Sequence, residues 1–146
     1  DVVWVNDPRG GVLAELLLRI REHVQDLFEG SPCKVTVHFP EPLPERNIGP
    51  LAKRNLYLIA KEAAHNAYKY SAATEVVLRF TLDGSGFTLE LCDNGCGTSS
   101  TTSTGGHGLR NMHARAAALG RELQAGPALN GGFRVLLAGP SSTLDL

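Results

Sequence analysis

Residues 62–69 read E-A-A-H-N-A-Y-K, and they close a helical stretch that runs from about Leu51 to Tyr70. At about 100° per residue, Asn55, Glu62, Asn66 and Lys69 fall within an arc of roughly 60°, while Leu56, Ala60, Ala63, Ala64 and Ala67 take the opposite side. As amphipathicity alone, this is a solvated helix face set against a core. Glu62 and Lys69 as plain surface charges would contribute only tenths of a kcal/mol. The residue types open a second reading. Mg²⁺ takes oxygen ligands, keeps several waters and uses one or two protein groups beside substrate phosphates. Asn66 offers a neutral amide oxygen that ligates such an ion without repelling phosphate. Glu62, one turn earlier, can accept from a metal-bound water or polarise an attacking group. Lys69 supplies a point charge.

Two glycine-bearing loops follow. Asp93-Asn94-Gly95-Cys96-Gly97 leaves the end of a strand pattern. A carboxylate at the end of a buried strand is costly unless something bonds to it, and an exocyclic amine of a base is a suitable donor. Gly95 and Gly97 let the backbone turn and approach a flat ligand; as a plain reading, D-N-G is also turn chemistry. Gly105-Gly106-His107-Gly108 then opens directly into a third helix. Its backbone N–H groups and the positive end of the helix dipole suit phosphate, although the same residues serve as an ordinary loop–helix junction. There is no G-x-x-x-x-G-K-[ST], so this is not a P-loop.

Outward from these motifs, hydrophobic periodicity predicts a helix over Val12–Glu29, with Leu13, Leu16, Leu17, Ile20, Val24, Leu27 and Phe28 in phase and Gly30 as its stop. Cys33 to Phe39 alternates as a half-buried strand, and four prolines (40, 42, 44 and 50) stiffen the next loop. Strand patterns at Thr74–Leu82 and Phe87–Leu91 flank the hairpin signal Asp83-Gly84-Ser85-Gly86. The third helix runs to Gly120, and two strands near 121–126 and 132–138 flank a turn at Pro127–Gly131. This order predicts an α+β fold with one mixed, mostly antiparallel sheet and helices on one face.

Bulk composition is compatible with one globular domain: 146 residues, 42% hydrophobic, 20% charged, net charge −1. No basic cluster points to nucleic acid, and no apolar run approaches the ~20 residues of a membrane span. Cys33, Cys92 and Cys96 do not form a disulfide framework, and the histidines lack zinc-ligand spacing, so a reducing, cytoplasmic compartment is expected. Because the chain opens at Asp1 without Met, it reads as a piece of a longer protein.

Taken together, E-A-A-H-N-A-Y-K (62–69), D-N-G-C-G (93–97) and G-H-G-L-R-N-M (106–112) resemble the N box and the two glycine boxes of the GHKL ATPases, over about residues 12–139. Within that superfamily they look like the catalytic domains of bacterial sensor histidine kinases, in the short-lid branch paired with DNA-binding response regulators. The resemblance implies a two-layer, Bergerat-type α/β sandwich that binds ATP and Mg²⁺. It assigns Asn66 to Mg²⁺, Glu62 to the N-box acid, Lys69 to phosphate and Asp93 to adenine. Gly95, Gly97, Gly106, His107, Gly108 and Leu109 border the nucleotide. It further implies transfer of the γ-phosphoryl group to a histidine on a helical phosphoacceptor domain outside this chain, with a response regulator downstream and a parent protein that is cytoplasmic or membrane-anchored. Residues 1–10 resemble the end of the linker from that helical domain, 11–140 the catalytic domain, and 141–146 a tail. The chain departs from the family's pattern at Phe133, where Thr often follows the glycine, at Tyr70, where His is common, and in its small uncharged lid, Thr98–Thr104. Other GHKL ATPases, anti-sigma-type serine kinases and a nucleotide-binding scaffold without turnover remain alternatives.

Overall fold

A computed structural model describes residues 2–70, 72–95, 106–129 and 131–146. The elements in chain order are α1 (Val2–Val5), β1 (Gly11–Val12), α2 (Leu13–Leu27), β2 (Lys34–His38), β3 (Asn47–Ile48), α3 (Pro50–Tyr70), β4 (Glu75–Asp83), β5 (Gly86–Asp93), α4 (Gly106–Ala118), β6 (Gln124–Pro127) and β7 (Phe133–Gly139). A 3₁₀ turn, Ser141–Asp145, follows.

The five-stranded sheet has the order β2-β4-β5-β7-β6, in which β2 and β4 are parallel and every other neighbour is antiparallel. Strand alternation divides it into two faces. Val76, Leu78, Phe80, Phe87, Leu89, Leu91, Val135 and Leu137 are buried and meet the core-facing residues of α2, α3 and α4. The opposite face carries polar cross-strand pairs: Arg79 Nη1 donates to Glu90 at 3.0 Å, Arg134 pairs with the same carboxylate, and the Thr81 and Thr88 hydroxyls bond at 2.6 Å. The sheet is therefore covered by helices on one side, as the periodicities predict. β2 is less cleanly two-faced than its alternation suggests, with Val35 and Val37 only half-buried. It is an edge strand, so one flank has no neighbour to cover it.

Two features tie the ends of the chain into this sandwich. β1 pairs with β3 in a separate two-stranded ribbon. α3 begins on Pro50, whose missing N–H costs nothing at a first helical position. The next two N–H groups, of Leu51 and Ala52, both donate to the Leu146 carbonyl at 3.1 and 3.0 Å, and Gly49 N–H donates to Leu144 O at 2.9 Å. Residues 141–146 thus satisfy orphan donors at the start of α3, and Thr143 and Leu144 are buried.

Candidate functional site

α3 carries the first group of site residues on its last two turns. Its apolar side, Leu56, Ile59, Ala60, Ala63, Ala64 and Ala67, is buried, which turns Glu62 and Asn66 toward the margin of the helix layer, half-exposed, and leaves Lys69 exposed. Among the described residues, none of these three side chains makes a hydrogen bond. Asn55, on the same arc, does not join them: it is buried, and its Nδ2 donates to the Leu51 carbonyl at 2.9 Å. It serves the helix rather than the site.

α4 packs on α3 so that Gly108 lies directly against the Glu62–Asn66 pair. A Cβ at Gly108 would stand 2.5 Å from Glu62 Oε2 and 3.3 Å from Asn66 Nδ2. The second glycine box therefore meets the polar helix face at close range, and a side chain at 108 would have to displace the Glu62 carboxylate. His107, beside it, is exposed, and Leu109 packs partly against the core. Gly106 is the first residue of α4. The charge environment adds a residue outside the quoted motifs: Arg115, two turns along α4. Burial and then the like charge of Arg54 push its guanidinium below the ordinary range, and Glu62 pulls the other way. Its signal in the sequence is the seven-residue spacing from Gly108, which returns to the same helix face.

The second group sits at the end of β5. Asp93 is 4% exposed. Its Oδ1 accepts from the N–H of Gly95 at 2.8 Å and from the N–H of Phe133 at 3.3 Å, while Oδ2 receives no hydrogen bond from the described residues. Burial raises the carboxyl above its usual range and the two N–H donors pull it partly back. Gly132 is pressed against the Asp93 carbonyl so closely that any side chain there would collide. Phe133, where the family's pattern often has Thr, contributes its backbone N–H to Asp93 and a buried ring. Asn94 serves the fold: its Oδ1 accepts from the N–H groups of Thr74 and Glu75 at 3.0 and 2.9 Å, locking the end of β5 to the start of β4.

Of the residues named from sequence, Glu62, Asn66 and Gly108 are in mutual reach, and Asp93 and Gly95 form a second cluster. Gly97, Cys96 and the Thr98–Thr104 segment lie outside the described residues. The donor set fits the groups the motifs imply: an amide and a carboxylate oxygen beside a side-chain-free patch of helix for an Mg²⁺–phosphate unit, and a buried carboxylate with one oxygen in reserve for an amine.

Comparison with solved structures gives the fold a precedent. The histidine kinase domain of the Erythrobacter litoralis EL346 blue-light activated histidine kinase superposes with a TM-score of 0.74 at 20% identity, over 91% of this chain and 67% of that one. The chain has the fold of a histidine kinase ATP-binding domain. The ATP binding domain of PrrB from Mycobacterium tuberculosis matches at 0.66 and 23% identity, over 88% of this chain and 93% of that one. Full-length ShkA in complex with AMPPNP matches at 0.70 and 22% identity, over 90% of this chain but 30% of ShkA. The histidine kinase fold is thus common ground at low identity. No protein-family model matches the chain, and no curated protein matches it by sequence. Among the described residues no helix is long and apolar enough to cross a membrane.

Proposed function

We propose that this domain binds Mg·ATP and donates the γ-phosphoryl group to a histidine on a helical domain of the same parent protein, as the catalytic part of a two-component sensor histidine kinase. The observation that carries the reading is the contact of Gly108 with Glu62 and Asn66, together with a buried Asp93 at the end of β5 that keeps an acceptor oxygen for a base. A solvated helix face has no need for a glycine pressed against its polar residues.

In this reading each group has one task. Asn66 would hold Mg²⁺ through its amide oxygen, and a bound ion would supply charge neutralisation for the phosphates. Glu62 would accept a hydrogen bond from water there or from the incoming nucleophile. Lys69 meets the phosphates as a mobile point charge. Gly106 and Gly108 admit the phosphates to the N-terminal turn of α4, where N–H groups and the dipole favour anions. Asp93 accepts the exocyclic amine of adenine, and Gly95 and Gly97 let the chain close over the base. Positioning and charge stabilisation supply most of the catalysis for phosphoryl transfer. The acceptor histidine and the response regulator belong to partners outside this chain, and residues 1–10 are the natural connection to the helical partner.

The test is transfer in trans. This chain, the separate helical domain and labelled ATP should together yield an acid-labile, base-stable phosphoprotein, and Asn66→Ala should yield none. Acid-stable label would instead indicate a serine kinase, and equal transfer by Asn66→Ala would refute the assignment.

A further inference from the structure

α4 packs on α3 along a seam in which Met112 and Ala116 are fully buried. Arg115 stands at the edge of that seam, half-exposed, and among the described residues its guanidinium makes no hydrogen bond or ion pair. We propose that Arg115 is a positioning residue for Glu62: it holds the carboxylate over Gly108 and offsets its charge when phosphates enter beside it. The inference rests on the proposed nucleotide site and adds a member that acts through Glu62 rather than on the nucleotide.

Helix geometry sets the placement. Glu62 Oε2 would lie 2.5 Å from a Cβ at Gly108, so the carboxylate already rests on the bare turn of α4. Seven residues on, Arg115 returns to the same side of the helix, about 10 Å along the axis. A long side chain on a helix leans back toward the N-terminus, which carries the guanidinium toward Gly108 and the carboxylate above it. On α3, Arg54, Leu58 and Glu62 follow one another at four-residue steps and form one row. The ends of that row, Arg54 and Glu62, are the charged groups that act on Arg115. Arg54 is turned toward the lead-in segment, where its Nε donates to Asn6 Oδ1 at 2.9 Å. Arg115 is thus repelled from one end of the row and drawn to the other.

The need for such a group follows from the site itself. The glycine patch that admits phosphates also brings them up to the Glu62 carboxylate, and two anions at that range repel. Lys69 is exposed, so solvent and salt weaken its charge. A half-buried guanidinium beside the carboxylate is screened less, and it both holds Glu62 in place and lowers the local negative potential. Because Arg115 makes no paired hydrogen bonds, its charge is what matters and lysine can replace it; at a bidentate site lysine could not.

The experiment is a double-mutant cycle on the wild type, Arg115→Gln, Glu62→Gln and the double variant, read by thermal melts and by calorimetric titration with Mg·ATP. The cycle is needed because Arg115→Gln also removes the repulsion between Arg115 and Arg54. In melts at low salt, Arg115→Gln should cost about 1–3 °C more with Glu62 present than in the Glu62→Gln background, and added salt should shrink the difference. In the titrations it should weaken Mg·ATP binding by about fivefold with Glu62 present and by less than about twofold without it. Arg115→Lys should bind within about twofold of the wild type. A purely structural role at the seam would give equal losses in both backgrounds and no rescue by lysine, and either result would overturn the proposal. If the wild type bound no ATP, the nucleotide site itself would be refuted, while the melts would still decide whether Arg115 and Glu62 are coupled.

Discussion

α3 carries two sets of polar residues, and they are treated in opposite ways. In its first half Lys53 is fully buried, with its ammonium bonded to the carbonyls of Trp4 and Gly10 and 4.6 Å from the centre of the Trp4 ring. Asn55 turns back on its own helix. In the second half Glu62, Asn66 and Lys69 make no side-chain hydrogen bond among the described residues, and Glu62 and Asn66 border a glycine. A polar group bonded within the fold is structural, and its removal is felt as lost stability. An accessible polar group without such a bond is open to solvent or to a ligand, and its removal should leave stability nearly unchanged. In the proposed reading, the same helix fastens the lead-in segment at one end and offers a ligand surface at the other.

The contrast can be broken by substitution, and the effects should rank in a definite order. Asn66→Ala should lower Mg-dependent ATP affinity by about a hundredfold, the upper end of the cost of losing a group that merely supports a metal ligand, with little change in the melting temperature. Lys53→Met should do the reverse. Leaving the Trp4 and Gly10 carbonyls without their buried donor should cost about 1–3 kcal/mol of stability by denaturant titration, with nucleotide affinity of the folded protein unchanged. If Lys53→Met abolished binding in folded protein, the division of the helix into two roles would be wrong.

Asp93 sharpens the comparison because it belongs to both kinds. It is bonded internally by two N–H groups and still keeps one oxygen toward the proposed base. Its carboxyl is raised by burial, so the folded state holds a proton more tightly than the unfolded state does. Its ionisation therefore costs stability progressively as pH rises from the unfolded carboxylate range, about 3.9, through the higher folded value. Asp93→Asn should remove that loss, so its stability advantage over wild type should grow with pH across this window. It should also weaken ATP binding by about tenfold, the share of a charge-assisted hydrogen bond. Lys69→Ala should have the smallest effect, a few-fold loss of affinity that shrinks with added salt, because an exposed charge is well screened.

Much of the candidate site was legible because its residues lie in short local phrases. The polar arc on α3, Asp93 at a strand end and the glycines before α4 all belong to contiguous segments with characteristic spacing. What escaped depends on packing between distant segments. Lys53 sits in a stretch, A-K-R-N, that looks like a charged helix surface, and it is buried only because α1 and Gly10 fold back over it. Residues 141–146 carry no periodic signal, yet their carbonyls close the N-terminus of α3. His23 and His65 are each unremarkable in sequence and become neighbours only when α2 packs on α3. Phe133 read as a missing contact, and its backbone N–H is the part that reaches Asp93; backbone donors leave no trace in residue identity.

The central claim is that the C-terminal half of α3, with Gly108 and Asp93, forms an Mg·ATP site. It is tested most directly by calorimetric titration of ATP into the wild type and Asn66→Ala, each with Mg²⁺ and with the metal chelated. The account predicts binding by the wild type that depends on Mg²⁺ and is largely lost in Asn66→Ala. Absence of wild-type binding at millimolar nucleotide, or binding that neither chelation nor the substitution weakens, would contradict it.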